Sequence, residues 1–306
     1  IMFFLYQIIL TIIILISPII IIIRLFKNKE DKKRFLEKFC FFSKKRGTGK
    51  IIWFHGSSVG EILSIIPLIQ NLEKNKSINK ILITSSTLSS SKIIKSFKFK
   101  KVIHQFYPID HIIFVNRFLN YWKPSVAIFL ESEIWPGMFK EIEKKKISLI
   151  LLNARITKKT FDRWSKINSF SQSIFNKVSM AYPQNFETIF FLKKLKIKNI
   201  NFIGNLKYIE NEEKKDTLNI KLKKQFTKKK IWVASSTHHE EEIFCAKTHI
   251  QLKKENKNLV TIIIPRHIHR VNEIINKIKQ MNLKVSIHSL KPRNLNNTDI
   301  YIVDTF

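Results

Sequence analysis

Two cysteines, Cys40 and Cys245, are all the thiol chemistry this chain has. They stand far apart, form no CxxC pair and fit no metal-ligand spacing, which excludes a disulfide framework and a cysteine-based metal site. Two isolated thiols suit a reducing cytoplasm. Acidic residues are scarce as well: 23 Asp and Glu stand against 55 Lys and Arg, a formal net charge of +32 over 306 residues. Such a balance attracts anionic partners, whether phosphates, nucleic acid or anionic lipid. The excess is lysine, spread along the whole chain among abundant Ile and Asn as a codon bias would spread it, so it permits an anionic partner without selecting one. No nucleic-acid motif appears and the Phe residues lie mostly in apolar runs, so no nucleic-acid partner is expected. The histidines give no zinc pattern either. His238-His239-Glu240-Glu241-Glu242 and His267-x-His269 read as surface residues near helix starts, and no metal is expected. A hydrophobic content of 44% rules out a disordered chain.

The first 23 residues lack any charged side chain. An apolar run of that length spans a bilayer as a helix, and Pro18 is tolerated there. Neither a basic n-region nor a small-residue cleavage site is present, which argues against a signal peptide. Residues 24–50 follow with eleven basic and three acidic side chains. The positive-inside rule keeps that flank cytoplasmic, so the expectation is a single-pass anchor with the body on the cytoplasmic side. The same lysines would hold the body against anionic lipid.

Beyond the anchor, short apolar runs alternate with longer amphipathic ones, the pattern of βα units and a parallel sheet. Strands are predicted over 51–55, 81–85, 105–108, 126–130 and 149–153, and again over 200–204, 231–235, 260–265, 284–288 and 300–304. A longer helical region is expected over 155–195 and a polar, lysine-rich insertion over 210–230. The organisation is then an anchor (1–23), a basic juxtamembrane segment (24–50) and two α/β domains (51–199 and 200–306). Two sheets of this kind form a cleft suited to a two-substrate transfer. The chain opens with Ile1 before Met2 and stops just after an apolar strand, so further residues are expected at its ends.

Polar clusters fall at the carboxyl ends of the predicted strands, where ligands of open α/β sheets bind. The run from Lys50 to Glu61 reads as strand, glycine-containing turn and helix N-terminus. It delivers Glu61 to a first helical turn, where dipole and free N–H groups favour an ionised carboxylate. Such a carboxylate is a reasonable general base for a substrate hydroxyl. Glu131 and Glu133 follow another strand beside Trp135 and Pro136. Asn153 and Arg155 close the next, and Lys207 follows Gly204-Asn-Leu. Ser236, Thr237 and His238 end one later strand; Pro265, Arg266, His267 and Arg270 end another. Hydroxyl and basic side chains at strand ends, with helix N-termini beside them, suit a phosphate.

The ordered set His55-x-x-Ser58-Val59-Gly60-Glu61, Glu131-x-Glu133-x-Trp135-Pro136, Asn153-Ala154-Arg155, Gly204-Asn205-Leu206-Lys207, Ser236-Thr237-His238 and Pro265-Arg266-His267 resembles the bacterial 3-deoxy-D-manno-octulosonic acid (Kdo) transferases over essentially the whole chain. The resemblance implies two Rossmann-like domains of the GT-B glycosyltransferase type, held at the inner membrane and facing the cytoplasm. It implies CMP-Kdo as donor, a disaccharide lipid A precursor as acceptor, inversion at the anomeric carbon, and no metal or other cofactor. By position, Glu61 would be the base, Glu131 would stabilise the transition state, and Lys207 would offset the leaving phosphate. Ser58, Glu133, Arg155, Ser236, Thr237 and His238 would bind substrate, and Pro265, Arg266 and His267 would form a CMP loop. The chain departs from the family at Gly56-Ser57 and at His239-Glu240, and Phe306 stands where a Gly-Glu-Leu loop would begin, so part of the CMP site is expected beyond it. A different nucleotide sugar, or a non-catalytic remnant, are the alternative readings.

Overall fold

The computed structural model describes residues 2–27, 29–208, 220–292 and 294–305. It divides into two compact units, Ile1–Asn211 and Glu212–Phe306. In chain order the helices are α1 (Met2–Phe26), α2 (Val59–Lys74), α3 (Leu88–Ser96), α4 (Ile112–Trp122), α5 (Pro136–Lys144), α6 (Lys158–Ser165), α7 (Asn168–Phe175), α8 (Phe186–Lys194), α9 (Ile220–Phe226), α10 (Glu241–Glu255) and α11 (Val271–Gln280).

The first unit is built on six parallel strands: β1 (Ile51–His55), β2 (Lys80–Ser85), β3 (Val102–Phe106), β4 (Val126–Leu130), β5 (Ser148–Ala154) and β6 (Met180–Pro183), in the order β3-β2-β1-β4-β5-β6. Parallel sheets are covered on both faces, which is why these strands read as nearly unbroken apolar runs. Successive side chains enter opposite layers. Trp53, Leu82 and Phe129 pack in one core with the α4 residues Phe118 and Trp122. Their neighbours Phe54, Ile83 and Leu130 pack in the other with the α2 residues Ile62 and Ile65. Strand order reverses between β1 and β4, and the crevice at such a reversal is the usual ligand site of a doubly wound sheet.

The second unit carries β7 (Lys230–Thr237), β8 (Leu259–Pro265), β9 (Val285–Ile287) and β10 (Ile300–Ile302), all parallel, in the order β7-β8-β10-β9. Its cores are its own: Ile263, Ile274, Ile278 and Ile302 in one, Leu222, Val260, Leu295 and Tyr301 in the other. Both units are thus α/β with parallel, Rossmann-like sheets.

Three expectations shift. Residues 155–195 are not continuously helical, because Met180–Pro183 forms β6 on the sheet edge; the run is short and mixed, with too little β-branched character to announce a strand. Residues 200–204 form no strand beyond a single bridge between Ile200 and Ala181, and Phe202 and Ile203 are exposed. The chain then makes a 3₁₀ turn over Leu206–Tyr208, so it stays with the first unit past residue 199. The third strand lies at Val102–Phe106 rather than 105–108. Of the polar insertion, residues 209–219 lie outside the described residues, and Ile220–Phe226 is helical.

Candidate active site

At the end of β1 the chain turns through Gly56, Ser57 and Ser58 into α2. Ser58 caps that helix from an extended backbone (φ −95°, ψ 159°), its Oγ accepting from Glu61 N at 3.2 Å. The reciprocal half of the capping box is present in altered form. Glu61 Oε1 accepts from Ser58 Oγ at 2.8 Å, and Oε2 accepts from Ser57 N at 2.7 Å. Both carboxylate oxygens are therefore pinned at the helix start. The sequence favours an ionised Glu61 through the helix dipole, yet the balance falls the other way. Burial raises its pKa above the ordinary value, and the nearby charges of Glu133 and Glu131 add to that, against the Ser58 and Ser57 hydrogen bonds.

Glu131 and Glu133 arrive from the other side of the strand reversal, in the loop after β4. Glu131 is buried and holds a left-handed backbone (φ 48°); its Oε1 lies 2.6 Å from Lys207 Nζ. Asn153, at the end of the neighbouring β5, is also left-handed (φ 52°) and buried. Its Oδ1 accepts from Leu206 N at 3.1 Å, which seats the turn that carries Lys207. Left-handed backbone in non-glycine residues is costly and gathers at functional sites. Lys207 thus belongs to the first unit, packed on the ends of β4 and β5, and not to a strand of the second sheet. Arg155 follows with an exposed side chain, its backbone N donating to Glu131 O at 3.2 Å.

Glu133 is fixed by a chain of buried donors. Its Oε2 lies 3.0 Å from His55 Nε2 and accepts from Trp135 Nε1 at 2.8 Å. His55 Nδ1 lies 2.9 Å from Thr84 Oγ1, which in turn accepts from Trp53 Nε1 at 2.8 Å. All partners are satisfied when Trp53 donates to Thr84, Thr84 to His55 Nδ1 and His55 Nε2–H to Glu133. The imidazole is fully buried and stacked on Tyr107 at 3.8 Å. Burial works to raise the Glu133 pKa, but hydrogen bonds from His55, then from Trp135 and Ser57, bring it below the ordinary value. Two neighbouring acids are therefore driven apart, Glu61 towards the proton and Glu133 away from it, the pattern that separates acid–base roles in one site.

In the second unit the edge after β7 is irregular. Pairing with β8 slips between Ser235 and Thr237, and Ser236 between them is left-handed (φ 59°) and exposed. Thr237 Oγ1 donates to Glu242 Oε1 at 3.1 Å, and Arg270 bonds both oxygens of the same buried carboxylate at 3.3 Å. Arg266 N donates to Thr237 O at 3.0 Å, joining the loop after β8 to the loop after β7. His238 and His267 meet edge to face with ring centroids 6.1 Å apart, and Pro265, two residues before His267, is buried. Ser236, Thr237, His238, Pro265, Arg266 and His267 therefore form one cluster.

The first unit likewise brings Ser58, Glu61, Glu131, Glu133 and Lys207 to one edge. Sequence reasoning gave no role to His55, Ser57 or Thr84, although His55 stood in the motifs, and it read Asn153 as an amide offered at a strand end and not as the seat of the Lys207 turn. Among the described residues no group of three or more His, Cys, Asp or Glu side chains is placed to hold a metal ion.

The family model described as 3-deoxy-D-manno-octulosonic-acid transferase (kdotransferase) matches residues 33–210. A curated relative named 3-deoxy-D-manno-octulosonic acid transferase, from Rickettsia bellii (strain RML369-C), is 35% identical over 293 residues, 94% of this chain and 69% of its own length. One of the same name from Rickettsia felis (strain ATCC VR-1525 / URRWXCal2) is 36% identical over 261 residues, and the chain spans 55% of its length. Among solved structures, a UDP-GlcNAc 2-epimerase from Neisseria meningitidis superimposes with a TM-score of 0.55 at 13% identity, covering 84% of this chain and 72% of that one. At that identity the likeness concerns the two-sheet fold, of GT-B kind, alone.

Proposed function

Because the chain belongs to the 3-deoxy-D-manno-octulosonic acid (Kdo) transferase family, we propose that it moves Kdo from CMP-Kdo to a lipid A precursor, with Glu61 as general base. The observation that carries this is the Glu61 carboxylate itself. It is pinned at a helix start beside the strand reversal, and burial with two neighbouring acids raises its proton affinity. A carboxylate of raised pKa is, in its ionised form, a stronger base than a solvated one.

In this reading Glu61 takes the proton of the acceptor hydroxyl as that oxygen attacks the anomeric carbon. The bond to the phosphate oxygen breaks on the opposite face, CMP departs with the bonding pair, and configuration inverts. Glu131, held by its backbone and by Lys207, opposes the positive charge that develops at the anomeric carbon, and Lys207 offsets the charge of the departing phosphate. Ser58, Glu133 and Arg155 line the acceptor side, with Glu133 kept ionised by His55. Ser236, Thr237 and His238 bind donor, and Pro265, Arg266 and His267 receive CMP. The acceptor is an anionic lipid, so α1 and its basic flank would keep the enzyme at the inner membrane, on the cytoplasmic side.

The test is transfer of labelled Kdo by membranes carrying the full-length protein, with Glu61→Gln beside it. Glutamine keeps a carbonyl for Ser58 or Ser57 but cannot take a proton, so a folded variant is expected to lose at least a thousandfold in rate, within the range of a lost general base. The acid limb of the wild-type profile is expected above the ordinary carboxylate range, because protonation of the raised Glu61 stops the reaction. Wild-type transfer by folded Glu61→Gln removes Glu61 from the role. A panel of donors, read by the nucleotide released, separates CMP-Kdo from another nucleotide sugar.

A further inference from the structure

Helix α1 is long and apolar enough to cross a bilayer, but its few polar side chains are not scattered around it. Tyr6, Gln7, Leu10, Ile14, Ser17 and Ile21 form one stripe that is less exposed than the rest of the helix, and Ser17 is only 6% exposed. The stripe meets the body of the first unit. Tyr6 Oη donates to Asp110 Oδ2 at 2.7 Å, Gln7 Oε1 accepts from Ile112 N at 3.0 Å, and Thr11 Oγ1 lies 3.3 Å from His111 Nε2. The Lys140 ammonium sits 3.8 Å from the Phe3 ring centroid. At the other end Arg24 Nε lies 2.6 Å from Glu30 Oε1, and Glu30 accepts from Lys38 Nζ at 2.7 Å. The backbone carbonyl of Lys38 accepts from Ile109 N at 3.0 Å. Both ends of α1 are thus tied to the segment that follows β3.

Tyr6 and Arg24 are separated by about 27 Å of helix, at about 1.5 Å per residue, close to the roughly 30 Å thickness of the hydrocarbon. If α1 crossed the bilayer with the body beyond its C-terminal end, Tyr6 would lie near the far surface. It could not then reach Asp110, a carboxylate 1% exposed inside the body. The two arrangements exclude each other.

We propose that α1 lies along the membrane in the leaflet facing the body, in place of the single-pass orientation that its length suggests. The body covers the polar stripe, and the acyl chains of that one leaflet cover the remaining face. That face is apolar from end to end: Phe4, Ile9, Leu15, Ile19 and Phe26 are between 56% and 85% exposed. A helix that lies in the interface usually carries its own charged face; here the body takes that place. The helical backbone bonds itself, so immersion leaves only the groups at the helix ends to be satisfied. Lys27, Lys29, Lys32 and Lys33 follow directly and meet the anionic head groups of the same leaflet.

Cross-linking in native membranes tests this. The full chain carries two cysteine pairs, Thr11→Cys with His111→Cys, and Asn120→Cys with Lys145→Cys. The second is an exposed contact within the body, where Lys145 Nζ lies 2.6 Å from Asn120 Oδ1, so its cross-link reports a folded body. Native Cys40 and Cys245 are buried. A short bis-maleimide is applied under conditions that join the 120–145 pair, and the products are read by mass spectrometry. The expected result is an 11–111 link in comparable yield. Joining of 120–145 without 11–111 places α1 across the bilayer and overturns the proposal.

Discussion

Gly60 precedes Glu61 in the first turn of α2, and a methyl group added there would meet only Ser58 Oγ, at 4.0 Å. Its φ is not among the positive ones, so neither space nor backbone asks for glycine, which within a helix costs about 0.5–1 kcal/mol relative to alanine. A glycine that the fold does not need, beside the proposed base, suits an acceptor that must come close to the helix start. Gly60→Ala is therefore expected to keep or slightly raise thermal stability while lowering transfer by about tenfold or more, a barrier rise of about 1.4 kcal/mol. Unchanged transfer in a protein of equal or greater stability would show that no substrate passes over this residue. The position of Glu61 was legible because an apolar strand, a glycine-containing turn and an amphipathic helix start are local signals. Its raised pKa was not, since Glu131 and Glu133 reach it from the loop after a different strand. His55 was silent for the same reason: its role rests on Thr84 and Glu133, both distant in sequence.

The start of α5 shows how whole elements set the site. Asp110, after β3, accepts from Gly137 N and Met138 N, both at 2.7 Å, and so caps a helix to which it does not belong. The fit is tight enough that a Cβ on Gly137 would lie 2.2 Å from Asp110 O. Trp135 and Glu133 stand immediately before that helix, so Asp110 fixes where they point. Burial raises its carboxyl to about 7, against the pull of Tyr6, Gly137 and Met138. A raised acid binds its proton more tightly in the folded state. Its contribution to stability is full below the ordinary value of about 3.8 and is lost as pH climbs through about 7, at up to about 1.4 kcal/mol per pH unit. Asp110→Asn has no such proton and leaves a backbone donor facing an amide NH₂, a penalty of about 1–3 kcal/mol. Melting the solubilised protein between pH 4 and 7 is expected to show the wild type well above the variant at acid pH, with the gap closing towards neutrality. Parallel curves would mean that Asp110 titrates at its ordinary value. None of this was visible in the sequence, where Asp110 is one polar residue in a loop.

For the molecule as a whole, the alternation of apolar and amphipathic runs was enough for two parallel sheets, because buried parallel strands advertise themselves by composition. It failed at Met180–Pro183, an edge strand of ordinary composition, and at residues 200–204, an apolar run with one bridging partner. The consequence is that Lys207 lies with Glu131 in the first unit, while the residues assigned to CMP all lie in the second. The two units have separate cores, so unfolding of the intact protein is expected in two calorimetric transitions and not one. Ile274→Ala truncates a side chain buried in the second unit and should lower one transition only, at a cost of about 2–5 kcal/mol, which identifies it. CMP at about a hundred times its dissociation constant stabilises the unit it binds by about 2.7 kcal/mol. In a domain of this size that is a rise on the order of 10–20 °C. The Pro265-Arg266-His267 assignment requires the rise on the transition that Ile274→Ala marks. A rise confined to the other transition would move the nucleotide to the sheet that carries Glu61, and donor and base would then share one unit.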